Sequence, residues 1–342
     1  MKPPRKIWPL ILLLGVGGGA LFAALVVQHG AADIAAAVAA AGWGVAAVTA
    51  FHVAPLFFDT LGWRAVIPPE QRPPLSWLFA IRWMGDSVSS MLPVAQVGGE
   101  IVRVRLAAAR GLTLPAAAAS VLVGMTVSVA TQIVFTLSGL LVLALETGRN
   151  GLFWPTLAGS LIGILALAGF YLVQRLGIFR IMGAIVSHLA RGEAWQGLAQ
   201  RGHALDQEVR ALYDRRSAVA ACCLWTMVVW AAGAVEIWIA LAALGLPASY
   251  GRAFALESMA QGIRSAAFLV PGALGVQEGG YVIVGGWLGI SPADCMALAL
   301  IRRMRELAFG VPGVISWQWL EGFAWWKRRA LGRPAAGIRN EP

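Results

Sequence analysis

Three stretches of this chain, Ile7–Gln28, Leu114–Leu145 and Gly151–Gln174, contain no charged residue. Each exceeds the roughly 20 residues that a helix needs to cross the hydrocarbon of a bilayer. Buried helices of a large soluble enzyme do not match this length criterion. Composition agrees: 58% of the 342 residues are hydrophobic and 13% are charged, about half the charged share of a soluble protein. The expected class is an all-α integral membrane protein.

The net charge of +10 would suggest nucleic acid in a soluble protein. Here the basic residues fall in loops between apolar segments, which the positive-inside rule explains. No basic stripe with interleaved aromatics stands on a polar surface, so nucleic-acid binding is excluded. Cys222, Cys223 and Cys295 lie in apolar segments without metal-ligand spacing and are read as small core residues; neither a metal nor a cofactor is expected. The basic start, Lys2 to Lys6, precedes an apolar run too long for a signal peptide, so it reads as an uncleaved first helix with its N-terminus in the cytoplasm.

Alternating the charged flanks gives a threading. Ile7–Gln28 runs outward, Ala31–Ala41 is an outer segment, and a second helix over about Gly42–Arg64 returns to a proline-rich inner loop, Ile67–Pro74. Residues 75–110 have basic flanks on both ends and are broken at Pro93–Gly99, which predicts a re-entrant hairpin. Non-helical backbone at that depth is tolerated only when it is buried in protein or lines a wet cavity. Leu114–Leu145 runs outward and Gly151–Gln174 back. Residues 175–216 are the only long polar segment, rich in arginine and therefore cytoplasmic. Ser217–Leu246 runs outward, 252–290 repeat the hairpin pattern from outside, and Pro292–Trp319 returns inward. The expectation is six spanning helices and two re-entrant hairpins, or eight or so apolar segments. They form a single membrane domain over 1–326, with a basic cytoplasmic tail at 327–342. Within 175–216, one apolar stripe joins Ile178, Ile181, Met182, Ile185, Val186 and Leu189, and a weaker one joins Leu198, Leu205, Val209 and Leu212. These read either as interfacial helices on anionic lipid head groups or as a linker packed on the cytoplasmic mouth.

An internal repeat is visible. Pro93-Val-Ala-Gln-Val-Gly-Gly-Glu100 and Pro271-Gly-Ala-Leu-Gly-Val-Gln-Glu278 share the spacing proline, six residues, glutamate. Asp86 and Arg264 stand seven residues before the two prolines. Pro115 and Pro292 follow the glutamates by 15 and 14 residues and open long apolar helices. Entered from opposite sides, the two hairpins would form an inverted repeat of the kind that places transporter sites at the bilayer midplane. The glycines Gly98, Gly99, Gly272, Gly275, Gly279 and Gly280 suit tight intramembrane turns.

Charge at membrane depth costs at least about 2.5 kcal/mol per residue, yet several charges lie in these apolar segments. Glu100 and Glu278 sit in the hairpin breaks beside Gln96 and Gln277, and Arg103 follows. Asp86, Glu257 and Arg264 lie in hairpin legs, and Arg302, Arg303, Arg305 and Glu306 in the last apolar segment; Asp59 and Glu236 are further candidates. They would bind a polar head group or couple to protons in a central cavity, or else pair with one another and tie helices together. Spacing permits local pairs between Glu257 and Arg264 and between Arg302 and Glu306.

Gln96-Val-Gly-Gly-Glu100 with Arg103 and Arg105, then Phe268-Leu-Val-Pro-Gly-Ala-Leu-Gly-Val-Gln-Glu-Gly-Gly280, then Arg302-Arg-Met-Arg-Glu306 before Pro312-Gly313, resemble the hopanoid-biosynthesis-associated branch of the lysylphosphatidylglycerol synthase transmembrane-region (flippase-like) superfamily. The similarity covers about Ile7 to Trp326. It implies a bacterial inner-membrane protein, with both termini cytoplasmic on the threading above, that translocates or presents lipids and is linked to hopanoids. It does not imply the aminoacyl-transfer chemistry of two-domain relatives, since no synthase domain follows Trp326. The family pattern leads one to expect an acid where this chain has Gly124.

The leading expectation is a lipid transporter or flippase-like protein whose partners are membrane lipids, hopanoid or phospholipid. The alternatives are an intramembrane enzyme or enzyme subunit joining a hopanoid to another lipid, and a scaffold without turnover. No diphosphate-metal, zinc-protease, serine-hydrolase or Walker motif occurs, so no catalytic residue is assigned. His29 and Asp33 stand four apart near the outer face, which would suit a general base, but His29 reads rather as a satisfied interfacial histidine. Oligomeric state stays open.

Overall fold

The computed structural model describes residues 41–92, 98–147, 193–267, 270 and 273–330, with isolated positions between 27 and 39 and between 161 and 168; side chains are described within 202–321 for the C-terminal part. The expected first helix, the body of Gly151–Gln174, the stripe from Ile178 to Leu189, Pro93, Gln96, Pro271, Gly272 and the tail beyond 330 lie outside the described residues.

Every regular element among the described residues is helical. In chain order the α-helices are α1 (Trp43–Phe51), α2 (Val53–Val66), α3 (Leu75–Met91), α4 (Gly98–Ala108), α5 (Leu114–Thr147), α6 (Glu193–Asp214), α7 (Arg216–Ala243), α8 (Tyr250–Ala266), α9 (Val276–Trp287) and α10 (Pro292–Ala330), with one 3-10 turn, Pro69–Gln71, between α2 and α3. Among the described residues, three helical stretches are long and apolar enough to cross a bilayer: Trp43–Val66, Leu114–Thr147 and Arg216–Ala243. The chain is an all-α membrane protein. The last long helix, α10, carries too much charge to read as a simple span, although 39 residues give it ample length.

One expected helix is interrupted. The stretch from Gly42 to Arg64 divides at His52 into α1 and α2. Pro55, in the first turn of α2, has no N–H for the Phe51 carbonyl and crowds it, which bends the helix at this point. The bend brings the His52 imidazole against α7 and α10.

The repeat seen in the sequence is matched by lengths. A 17-residue helix, a break and an 11-residue helix (α3, α4) precede the 34-residue α5. A 17-residue helix, a break and a 12-residue helix (α8, α9) precede the 39-residue α10. The short helices begin earlier than the spacing suggests, so Glu100 and Glu278 are each the third residue of a helix rather than part of a break. A carboxylate in a first turn faces the positive end of the helix dipole, which favours it there.

The two units exchange partners. On α3, Ser87 packs against Gly313 of α10, and Met91 against Gly310. On α8, Ser258 packs against Gly139 of α5, and Gly262 against Thr136. In both cases numbering rises on one helix as it falls on the other, so each first leg runs antiparallel to the long helix of the other unit. The α1–α2 stretch and α7 are likewise antiparallel: Gly44 meets Ala243, and Gly62 meets Cys222 and Trp225. Within the first hairpin, a Cβ on Gly99 would collide with the carbonyl oxygen of Gly85 and with Ser89 Oγ, so only glycine lets these legs touch. In the second break, Gly275 has φ +75°, a conformation costly for other residues.

Two apolar clusters result. One joins Trp63, Leu78, Ile81, Met84 and Val88 to α4, the start of α5, and Val209 and Leu212 of α6. The other joins Leu241, Leu256, Tyr281, Val284 and Leu298 to Val48 and Leu143. Val209 and Leu212 are therefore buried in protein, against the first cluster. Outward faces stay apolar, as with Met304, Leu307, Val311, Ile315 and Trp319 along α10. Such a stripe suits contact with lipid chains.

Candidate functional site

Between the two clusters lies a cavity of about 400 Å³, lined by His52 at the α1–α2 junction and by side chains of α2, α3, α5, α7, α8 and α10, many of them polar or charged. The ionisable lining residues are His52, Asp59, Arg82, Asp86, Glu236, Glu257, Arg264, Arg302, Arg305 and Glu306. A buried charge is tolerable only when paired and hydrogen-bonded, and the pairs are explicit.

On one side Arg82 pairs with both Asp59 and Asp86. Behind it Arg103 donates to Glu100 Oε2 at 2.6 Å and stacks on Trp63, its guanidinium carbon 4.6 Å from the ring centroid. On the other side, α10 supplies the arginines. Arg302 pairs with Glu257 and donates to the Tyr281 hydroxyl at 2.6 Å. Arg303 donates to Glu278 Oε1 at 2.8 Å and to Glu306 Oε2 at 2.7 Å. Arg305 pairs with Glu236, whose second oxygen lies 2.7 Å from His52 Nδ1. Arg264 donates to Glu306 Oε1 at 2.7 Å and to Gln277 Oε1 at 3.0 Å. Residues 302, 305 and 306 fall on the cavity face of α10, while Arg303 turns toward α9.

The expected local pairs do not form. Glu257 reaches across to α10 rather than along its own helix to Arg264, and Glu306 bonds Arg303 and Arg264 rather than Arg302. Cross-helix pairs hold helices together, whereas a pair along one helix contributes only a few tenths of a kcal/mol. Of the sequence candidates, Asp86, Glu257, Arg264, Arg305 and Glu306 line the cavity. Glu100, Arg103, Gln277 and Glu278 stand behind that lining and anchor it. Gly98 and Gly99 open α4, and Gly279 and Gly280 lie within α9.

Local spacing gives no signal for Arg82 or His52, and the structure adds both to the lining beside Asp59 and Glu236. For the two acids a signal is present in the sequence: Asp59 and Glu236 are each the sole acid of a predominantly apolar helix, and a lone acid there demands a partner from elsewhere. The rest of the lining is uncharged and mixes polar residues such as Ser128, Gln132 and Gln261, the aromatic Trp83, Trp230 and Phe309, and apolar residues such as Leu56 and Val229. Gln132 donates to the Gln261 carbonyl at 3.0 Å. Gly124 lies one and two turns before Ser128 and Gln132, with open space where a side chain would start.

The protein is thus a helical membrane protein with a charged, partly open cavity between two apolar clusters. Residues 10–312 match the family model for the lysylphosphatidylglycerol synthase TM region, and the chain belongs to that family. Membership marks a membrane protein of a lipid-related family. Among curated proteins there is no match.

Proposed function

We propose that this protein moves or presents a polar-headed lipid across a bacterial inner membrane, the head group lodging in the cavity while the acyl or polycyclic body stays among the outer apolar faces. The single observation that carries the reading is the cavity itself: about 400 Å³ lined by five acids and four arginines. Keeping so much charge at membrane depth is costly, and a purely structural core would be cheaper to build from apolar residues.

Three finer readings accompany it. The hairpins are re-entrant: at about 1.5 Å per residue, α4 and α9 extend only about 17 Å, short of the roughly 30 Å hydrocarbon core. The two units form an inverted repeat, supported by the antiparallel course of α1–α2 against α7 and by the reciprocal partners of α3 and α8. The lipid is hopanoid-related, supported by the resemblance of the Pro271–Gly280 and Arg302–Glu306 elements. Both termini then face the cytoplasm.

Reconstitution in liposomes carrying tail-labelled phosphatidylglycerol, phosphatidylethanolamine or a polar hopanoid tests this. Quencher added outside should reach nearly all of at least one lipid instead of about half. Accessibility no greater than in protein-free liposomes, for every lipid tried, would overturn the reading.

A further inference from the structure

His52 is the one cavity-lining side chain whose ordinary titration falls near neutral pH. Its place in the charge pattern gives that property a consequence. On the α7–α10 side, Glu236, Glu257, Glu278 and Glu306 face Arg264, Arg302, Arg303 and Arg305. Acids and bases there balance. On the α2–α4 side, Asp59, Asp86 and Glu100 face Arg82 and Arg103, which leaves one carboxylate in excess. His52 bonds Glu236 and so belongs to the balanced side. Its proton decides whether that side is neutral or carries one positive charge.

The local geometry fixes where the proton goes. Nδ1 lies 2.7 Å from Glu236 Oε1. With a carboxylate as partner, this nitrogen carries a hydrogen in either charge state. Nε2 is therefore the atom that gains or loses a proton. The ring is 26% exposed, so cavity water can reach it. The charged groups facing it are Glu236 from α7 and Arg302 and Arg305 from α10. The Phe309 ring stands edge-on, 5.0 Å between centroids.

We propose that His52 is the proton-binding residue of the cavity and that its protonation creates, beside Arg305, the seat for an anionic, phosphate-bearing head group. This rests on the lipid reading above and adds the head-group class and its linkage to protons. The anion is directed to this corner because the opposite corner has surplus carboxylate. The step is a single proton transfer from hydronium, delivered through cavity water, to Nε2: one N–H bond forms, one O–H bond breaks, and a neutral water is left behind. Protonated His52 attracts the anion, and by reciprocity the bound anion holds the proton. Affinity therefore rises as pH falls through the imidazole titration, and binding takes up protons.

The test uses the full-length protein in detergent with dioctanoyl-phosphatidylglycerol as ligand, read by quenching of tryptophan fluorescence (Trp83 and Trp230 line the cavity) between pH 5.5 and 8. The affinity should tighten about tenfold toward the acid end, on the scale of one linked site. His52→Gln should bind at the weak, pH 8 level throughout. Calorimetry of the unaltered protein in two buffers of different ionisation enthalpy should show proton uptake on binding, which keeps the proposal open to refutation should the variant fail to fold. Binding with no pH slope and no proton uptake would overturn the His52 switch alone, as would a His52→Gln variant with the same slope. No binding at any pH would overturn the head-group reading as well. Inorganic phosphate binding as tightly as the lipid would overturn the assignment to a lipid head group.

Discussion

Arg264 and Glu306 meet across the cavity wall, Nη1 2.7 Å from Oε1, although 42 residues separate them in the chain. Glu306 also takes the Arg303 guanidinium at 2.7 Å, so one carboxylate joins α8 to α10 and compensates two arginines. Glu306→Gln should be destabilising by about 3–5 kcal/mol, the usual cost of leaving a buried charge without its partner. Arg264→Gln in the same chain should recover part of the loss. Thermal unfolding of the purified variants checks both, and equal melting temperatures for wild type and Glu306→Gln would refute the arrangement.

The first hairpin depends on a contact of backbone on backbone. Gly99→Val puts a side chain into the Gly85 carbonyl, and overpacking of this kind costs about 1–3 kcal/mol. Gly124→Ala meets open space and should leave the melting temperature unchanged. Both variants can be compared by the same thermal-shift measurement.

Residues 93–100 and 271–278 should lie at breaks entered from opposite faces of the membrane. With the three native cysteines replaced by alanine, Ala95→Cys and Leu274→Cys are expected to react with an impermeant maleimide added from opposite sides of oriented vesicles. Labelling of both from one side would contradict the inverted arrangement.

Cys222 and Cys295 are sealed in the two apolar clusters, 2% and 0% exposed. In the folded protein neither should be modified by a membrane-permeant maleimide within minutes, whereas unfolding in detergent should expose both. Mass spectrometry of the digested chain reads this directly.

Much of the architecture was legible because membrane helices announce themselves locally. The run Leu114–Leu145 became α5, Leu114–Thr147, ending where the uncharged sequence stops, and Ser217–Leu246, which carries Glu236, became α7, Arg216–Ala243, ending just before Gly245 and Pro247. The paired spacing of Pro93 with Glu100 and Pro271 with Glu278 marked two units of matching helix lengths. The lining of the cavity was less legible. Periodicity reports neighbours one or two turns away, but Arg305 finds Glu236 at a separation of 69 residues and His52 finds it at 184. Which acid meets which base depends on helices packed through tertiary contacts, and a local spacing such as Glu257 to Arg264 was outbid by partners on α10. The bend that aims His52 was written in Pro55, but its importance depends on what α7 and α10 place opposite.

The reciprocal packing of α3 on α10 and of α8 on α5 has a consequence for biogenesis. When residues 75–91 leave the ribosome, the helix they must lean on, residues 292–330, has yet to be made. The leading unit must therefore wait in the bilayer with its seam open until residues 292–330 have been made. Assembly is a closing of two interlocked hooks rather than a march from one terminus to the other, and each half, produced alone, would lack the surface that completes it.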